Sequence, residues 1–249
     1  MKRKGLPLLL IITMLTMMLP TVVFGANNKA EEQHWGIEEM QAWQKKGLLT
    51  GYADGSLRPD APVTRGEFAR IINSVFHYVE MDSEGFSDVN ASQWFYSDIG
   101  KAAAAGIIAG YPDGTFRPNE AISREDAAKI ITAAFKLQPT ADELSANLLA
   151  AYKDGSSAHP YAESALVKLI ADGTIKGYPD GTIRPLKPVT RAESIALLSA
   201  LTGTIIQTAE TMKSVKIDGN LVINTPGVTL DNVTVKGNVY LTAGVGEGD

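Results

Sequence analysis

The sequence predicts a mainly α-helical protein that ends in a short β-rich segment. Two observations carry this prediction. Three stretches share one pattern of apolar, glycine and proline residues that is typical of a helix, a turn and a second helix. After Gly203 the pattern changes to alternating β-branched residues, which is typical of strands.

The three stretches keep the same internal spacing. An aromatic residue precedes a Gly-Tyr pair by 16 residues, and the glycine of that pair precedes an arginine by 14. The aligned positions are Trp35, Trp94 and Tyr161; Gly47, Gly106 and Gly173; Gly51, Gly110 and Gly177; and Arg65, Arg124 and Arg191. The copies lie 59 and then 67 residues apart, and the longer connection contains a helix-start signal at Thr140–Glu143. Constant spacing within copies and variable spacing between them predict three units, at 30–80, 86–138 and 152–202.

The amino terminus has the layout of a signal peptide over residues 1–25. Lys2, Arg3 and Lys4 precede an apolar stretch that ends at a small-residue cleavage site beside Gly25; an uncleaved anchor is the alternative. The sequence contains no cysteine, so neither a lipid-anchored cysteine nor a disulfide framework is expected. Without the three leader cations, 20 Lys and Arg face 28 Asp and Glu, which argues against nucleic acid or an anionic membrane as partner.

Each unit is predicted to contain two helices. The first runs from the aromatic residue to a glycine that ends it in a left-handed conformation. The second begins at a hydroxyl residue followed by an acid, the pattern of a capping box: Thr64 with Glu67, Ser123 with Asp126, and Thr190 with Glu193. Its apolar stripe in the first unit is Phe68, Ile71, Ile72, Val75 and Phe76, the spacing of a buried helix face.

The capping pattern does not explain Arg65, Arg124 and Arg191. A cation in the first turn faces the positive end of the helix dipole, which costs a few tenths of a kcal/mol, ~0.3 at an exposed site. Free amides at the helix start, together with a forked guanidinium, would suit a carboxylate or phosphate. The alternative is an arginine packed on a neighbouring unit or paired with an acid.

Other repeated residues favour structural roles. Arg58, Arg117 and Arg184 are predicted to brace the nearby Asp-Gly turns, and the aromatic residues at the helix starts suit either a core or the edge of a groove. The turns lack the acid spacing of a calcium loop. His34, His77 and His159 show no ligand or catalytic spacing, so neither catalysis, a metal nor a cofactor is expected.

These motifs resemble the S-layer homology domain. The second unit carries the fullest pattern, with Phe86-Ser-Asp88, Trp94, Gly110-Tyr-Pro-Asp-Gly-Thr-Phe-Arg-Pro118 and Ser123-Arg-Glu-Asp126. The resemblance implies a pseudo-threefold arrangement of three helix-loop-helix modules whose grooves bind an anionic, pyruvylated secondary cell wall polymer. The polysaccharide-binding residues it implies are Arg65, Arg124, Arg191, Trp35, Trp94, Tyr161, Asp88, Gly51, Gly110 and Gly177. Lys29 stands where unit two has Asp88, and Tyr161 replaces a tryptophan, so the grooves need not be equal.

The segment 204–249 repeats with a period of 18 residues. Val215–Ile223 matches Val233–Leu241, which predicts the rungs of a parallel β-solenoid. Fewer than two rungs are present, so the sequence is expected to be part of a longer exported protein.

The resulting expectation is a secreted, cell-surface protein without enzymatic activity that is held non-covalently on the wall polymer. Two alternatives stay open. The chain could be the anchor portion of a polysaccharide-processing enzyme whose catalytic solenoid is mostly absent, although Asp218 and Asp231 are few carboxylates for one. It could also be a structural S-layer subunit, and lateral self-association is not predicted either way.

Overall fold

The structure is a computed structural model that describes residues 29–82 and 85–246. The predicted signal peptide at 1–25 lies outside the described residues. Within them, no helix has both the length and the apolar character needed to cross a membrane.

Helices dominate the chain up to residue 202. They are α1 (Lys29–Glu32), α2 (Ile37–Lys45), α3 (Arg65–Phe76), α4 (Tyr96–Ala104), α5 (Arg124–Ala134), α6 (Ala141–Ser145), α7 (Pro160–Ala171) and α8 (Arg191–Thr202). Short 3-10 turns at Leu148–Ala151 and Gly155–Ser157 connect α6 to α7. We call α2 with α3 unit 1, α4 with α5 unit 2, and α7 with α8 unit 3.

Local sequence signals explain where these helices begin and end. Thr64, Thr140 and Thr190 form complete capping boxes, which confirms the predicted start of α6 as well. The glycines after the first helices have positive φ angles, as predicted: 74° at Gly47, 71° at Gly106 and 69° at Gly173. The predicted apolar stripe of α3 is buried along its whole length.

The second helix of each unit packs mainly on the first helix of the next unit. α3 packs on α4, α5 on α7, and α8 returns to α2. Backbone hydrogen bonds close the same circuit at the centre. The Val63 amide donates to Val189 O at 3.0 Å, the Val189 amide to Ile122 O at 3.1 Å, and the Ile122 amide to Val63 O at 3.0 Å. All three residues are buried, so each unit satisfies backbone groups that another leaves unpaired.

The carboxyl-terminal segment forms parallel ladders. Its strands are β1 (Thr204–Ile206), β2 (Thr211–Lys213), β3 (Lys216–Ile217), β4 (Leu221–Ile223), β5 (Thr229–Asp231), β6 (Thr234–Val235) and β7 (Val239–Leu241). β4 lies between β1 and β7, β2 pairs with β5, and β3 pairs with β6. The predicted 18-residue period appears directly in the register, because Leu221 lies opposite Val239 and Thr211 opposite Thr229.

Two asparagines attach this segment to the ends of the helices. Asn220 Nδ2 donates to Leu201 O of α8 at 2.7 Å, and its Oδ1 accepts from the Asn238 amide at 2.7 Å. Asn224 is fully buried and its Nδ2 donates to Val75 O of α3 at 3.0 Å. These side chains satisfy carbonyls that a helix end leaves without a backbone partner. The β segment therefore closes one end of the helical part.

Replacement of Asn220 by alanine should destabilise the protein, because it leaves a helix-end carbonyl and the Asn238 amide without their partners. We expect the free energy of unfolding to fall by about 1–3 kcal/mol in urea denaturation. Asn238→Ala is the matched control, since Asn238 is one ladder repeat later and its exposed side chain contacts only Tyr240 among the described residues. Equal losses in the two variants would contradict this role for Asn220.

Candidate functional site

The three repeated arginines do not point freely into solvent. Arg65, Arg124 and Arg191 are only 6%, 6% and 3% exposed, and each extends from the start of its helix beneath the loop of the next unit. Arg65 of unit 1 reaches unit 2, Arg124 of unit 2 reaches unit 3, and Arg191 of unit 3 reaches unit 1. Their positions therefore match the alternative interpretation of the sequence, in which each arginine packs on a neighbouring unit.

Arg191 makes the fullest set of contacts. Its Nε donates to Leu57 O at 2.9 Å, Nη2 donates to Thr50 O at 2.8 Å, and Nη1 lies 3.3 Å from Glu67 Oε1. The guanidinium carbon also lies 4.8 Å from the centre of the Tyr52 ring. Because a guanidinium carries five N–H bonds, one on Nη1 and one on Nη2 are left for a further acceptor.

The other two arginines make fewer hydrogen bonds, and Arg124 Nη1 reaches the Tyr178 hydroxyl only at 3.5 Å. Arg65 Nε donates to Phe116 O at 2.8 Å, and its Nη1 lies 3.3 Å from Asp126 Oδ2. Arg124 Nη2 donates to Lys176 O at 3.2 Å, but its buried Nε has no partner among the described residues. Arg124 thus lies in the unit with the most complete motif and has the least satisfied guanidinium.

The helix-start amides differ from the expectation of a free anion receptor. The Arg191 and Ala192 amides donate to Ala61 O and Pro59 O at 2.9 and 3.0 Å, and α3 and α5 bond the next unit's loop in the same way. The third amide of each helix is taken by the capping hydroxyl. The expectation of free amides was wrong, since inter-unit contacts use them. A ligand at these helix starts would have to accept hydrogen bonds from the arginine side chain, because the backbone amides are already used.

The capping box expected at Ser123 and Asp126 is only half formed. The Ser123 hydroxyl accepts from the Asp126 amide at 3.1 Å, yet the Asp126 carboxylate does not return to the Ser123 amide. It accepts from the Tyr161 hydroxyl at 2.8 Å and pairs with Arg65 instead. Aspartate is one methylene shorter than the glutamate of the other units, and these two partners hold it away from the helix start.

The Arg-Pro arginines brace their loops, as predicted. Arg117 Nη2 lies 2.9 Å from Asp113 Oδ2, and its guanidinium carbon lies 3.9 Å from the centre of the Tyr111 ring. Arg58 and Arg184 repeat both contacts in their own units. Hydrogen bonds from the Thr115 hydroxyl, the Thr115 amide and Arg117 lower the pKa of Asp113 to about 2. The brace is therefore ionised at neutral pH.

Asp88 holds this same loop. Its two oxygens accept from the Phe116 and Arg117 amides at 2.8 and 2.7 Å, so both are directed at the backbone and not at a groove. Asp154 does the same in unit 3. Unit 1 was expected to lack this acid, but Glu31 of α1 accepts from the Leu57 amide at 2.8 Å. Sequence alignment missed Glu31 because it is offset by two positions and has a longer side chain.

Gly110 is required by close packing. A Cβ atom there would lie 2.6 Å from Phe86 Cε1 and 2.7 Å from Thr115 O, so any larger residue would displace the Phe86 ring from the loop. Gly51 and Gly177 occupy the same place in their units and are likewise crowded by neighbouring side chains. These glycines let the loop lie close enough to line a groove.

The aromatic residues at the starts of the first helices are exposed and not core residues. Trp35, Trp94 and Tyr161 are 66%, 49% and 51% exposed. Trp94 forms the edge of a cavity of about 530 Å³, which we call groove 1, lined by Leu48, Leu49, Thr50, Gly51, Tyr52, Ala53, Glu67, Arg70, Ile71, Trp94 and Arg191. Tyr161 forms the edge of groove 2, a cavity of about 250 Å³, lined by Arg65, Ile107, Ile108, Ala109, Gly110, Tyr111, Pro112, Asp126, Lys129, Ile130 and Tyr161.

The two grooves differ in their charged groups. Both have a cation over the aromatic ring: the Arg70 guanidinium carbon lies 4.6 Å from the Trp94 ring centre in groove 1, and Lys129 Nζ lies 4.9 Å from the Tyr161 ring centre in groove 2. They differ in their carboxylates. In groove 2, the Tyr161 hydroxyl donates to Asp126 Oδ1 at 2.8 Å and also lies 3.0 Å from Glu125 Oε1. Burial and these two carboxylates raise the pKa of Tyr161 well above its usual value, so its hydroxyl stays a donor that is already used.

The S-layer homology domain model matches residues 31–69, 85–128 and 151–193, about half of the chain. Similar proteins include cell surface glycoprotein 1 of Acetivibrio thermocellus, 32% identical over 63% of this chain and 7% of that protein. The surface-layer 125 kDa protein of Lysinibacillus sphaericus is 30% identical over 79% of this chain and 16% of its own length.

The cellulosome-anchoring protein of Acetivibrio thermocellus is 34% identical over 61% of this chain and 34% of that protein. The chain therefore spans about a third or less of the length of these three relatives. Each of the three matched segments contains one of the arginines and the loop that covers the arginine of the preceding unit. The chain belongs to the S-layer homology domain family.

Proposed function

We propose that this chain holds an exported protein non-covalently on the bacterial cell wall by binding an anionic, pyruvylated secondary cell wall polysaccharide. The observation that carries the proposal is the geometry of groove 1. Arg191 lies at its base with N–H bonds left for an acceptor, and the half-exposed Trp94 ring stands at its edge.

This combination suits an acidic sugar. A ketal carboxylate would accept from the Arg191 guanidinium, which forms strong, directional bonds with carboxylates. The apolar face of the sugar ring would pack on Trp94, whose other surroundings include the Arg70 guanidinium. The Gly51 loop limits the space beside the arginine and so selects a small acidic group.

The location of the chain supports this ligand. The chain is a secreted protein attached to the cell surface, as its family and its surface-layer relatives show. A wall polysaccharide is present there in high copy number, and the chain's excess of acidic residues makes specific local recognition necessary for an anionic partner. Anchoring of this kind requires binding and no catalysis.

The proposed architecture has three domains related by a pseudo-threefold axis, at 30–80, 86–138 and 152–202, after a signal peptide at 1–25. The closed circuit of Val63, Ile122 and Val189 hydrogen bonds supports such an axis. The region 204–249 would be the start of a parallel β-solenoid, supported by the 18-residue register of its ladders.

Wall binding should depend on the anionic polymer. Purified chain from residue 26 onward is expected to co-sediment with isolated cell walls and to remain in the supernatant after the polymer is chemically stripped from them. Walls that are stripped of pyruvate alone should lose most of the binding, because the carboxylate is the proposed partner of the arginine. Equal binding to native and stripped walls would contradict the proposal.

Replacement of Arg191 by lysine should weaken binding even though the charge is kept. A lysine cannot hold Leu57 O, Thr50 O and a ligand carboxylate at once. We expect about a tenfold rise in the dissociation constant, which corresponds to the loss of one charge-assisted hydrogen bond. Arg184→Lys is the control, since it makes the same chemical change at a loop brace outside groove 1. Thermal unfolding of both variants checks that the fold is kept.

Replacement of Trp94 by alanine tests the same groove without disturbing a buried group. Its ring is about half exposed, so the fold should tolerate the change. We expect roughly a five- to tenfold loss of affinity by titration with soluble polymer, from lost stacking area. An unchanged dissociation constant would show that the sugar does not pack on this ring.

A further inference from the structure

Groove 1 adjoins a second cavity. This cavity has a volume of about 560 Å³, and we call it the Lys101 cavity; Leu48, Thr50 and Arg70 line both spaces. Its far end is formed by His77, Tyr78 and Val79, which follow α3, and by Asp98 and Lys101 of α4. Either space alone has the size of a small-ligand site, and the shared lining residues place the two spaces side by side.

Lys101 lines this cavity without a salt bridge to any carboxylate among the described residues. Asp98 is used twice, by Arg70 Nε at 3.1 Å and by Asn73 Nδ2 at 2.8 Å, so its charge is matched by Arg70. Among residues 29–82 and 85–246, no carboxylate lies within 4 Å of the Lys101 ammonium. Lys101 is partly exposed to solvent and is therefore available to an anionic ligand in the cavity.

The corresponding position beside groove 2 is neutralised. Lys168 follows Tyr161 by seven residues, as Lys101 follows Trp94. Its ammonium lies 2.9 Å from Asp172 Oδ1 and 3.3 Å from Glu143 Oε1. Glu143 belongs to α6, the helix in the longer connection between units 2 and 3, which has no counterpart among the residues that the structure describes between units 1 and 2. Helix α6 thus supplies a carboxylate that neutralises Lys168 beside groove 2, whereas Lys101 has no such partner among the described residues.

The space beside Arg124 lacks these cations altogether. The residue five positions after the buried arginine is Arg70 in unit 1 and Lys129 in unit 2, but Ala196 in unit 3. Unit 1 adjoins this space, and the residue seven positions after its aromatic Trp35 is Ala42, where units 2 and 3 have Lys101 and Lys168. Groove 1 is therefore the site with an additional cation and with room beyond it.

We propose that groove 1 and the Lys101 cavity form one extended site that binds two successive acidic residues of the wall polymer, the terminal one at Arg191 and the next at Lys101. This inference rests on the proposed function and adds the length and charge spacing of the ligand. Arg70 lies between the two positions and contacts Trp94 on one side and Asp98 on the other. Neither groove 2 nor the space beside Arg124 offers a second cationic position of this kind among the described residues.

The test compares Lys101→Gln with the wild-type chain on two probes from purified wall polymer, a fragment of one terminal repeat unit and a fragment of several. Glutamine removes the charge and keeps a polar side chain that is one bond shorter than that of lysine. We expect Lys101→Gln to bind the longer fragment about three- to tenfold more weakly, as for the loss of one exposed charge-assisted contact, and to bind the short fragment normally. The difference should shrink as sodium chloride is raised.

Lys168→Gln is the matched control, since it removes the equivalent lysine whose charge is already neutralised, and it should bind both fragments as the wild-type chain does. Unchanged affinity of Lys101→Gln for the longer fragment would overturn the inference, as would an equal loss for both fragments. Both outcomes leave the proposed function standing. If the wild-type chain binds neither fragment, the proposed function fails, and the inference fails with it.

Discussion

The closed circuit of backbone hydrogen bonds among Val63, Ile122 and Val189 is the constraint on which the rest of the structure depends. Each of these residues is buried and lies just before a helix cap, so its amide and carbonyl have no water to bond. Each finds its partner in another unit. No unit can complete its own helix start alone, and the three must assemble in one arrangement.

The buried arginines follow from this circuit. Each extends from a helix start that the circuit has fixed, and each reaches carbonyls of a loop in the next unit. Hydrogen bonds and a carboxylate compensate the buried charge of Arg191 and of Arg65, through Glu67 and Asp126 respectively, whereas Arg124 has hydrogen bonds alone among the described residues. Arg191 and Arg65 therefore each hold two units together and also line a groove, so the proposed binding would be coupled to assembly at these residues.

Local features were predictable from the sequence because they depend on neighbouring residues along the chain. The buried stripe of α3, the left-handed glycine at Gly47 and the capping box at Thr64 all follow from periodicity and short-range hydrogen bonding. The Asp113 brace is equally local. These features identified the units and placed the arginines at helix starts.

Long-range features were not predictable. The partners of Arg191 lie more than 120 residues away in sequence, and nothing near Arg191 shows that Leu57 O would accept from it. The role of Glu31 depends on the path of the chain before α2, which spacing alone does not reveal. Asp126 departs from its capping role because Tyr161 and Arg65, both from other units, compete for it.

The attachment of the β segment has a mechanical consequence. Asn220 bonds to the end of α8 in unit 3, and Asn224 bonds to the end of α3 in unit 1. A pull on the carboxyl-terminal side of the molecule is therefore shared by two units and does not pass through one flexible tether. The orientation of whatever follows residue 224 is fixed relative to the grooves, so the domains set the direction in which it projects as well as its location.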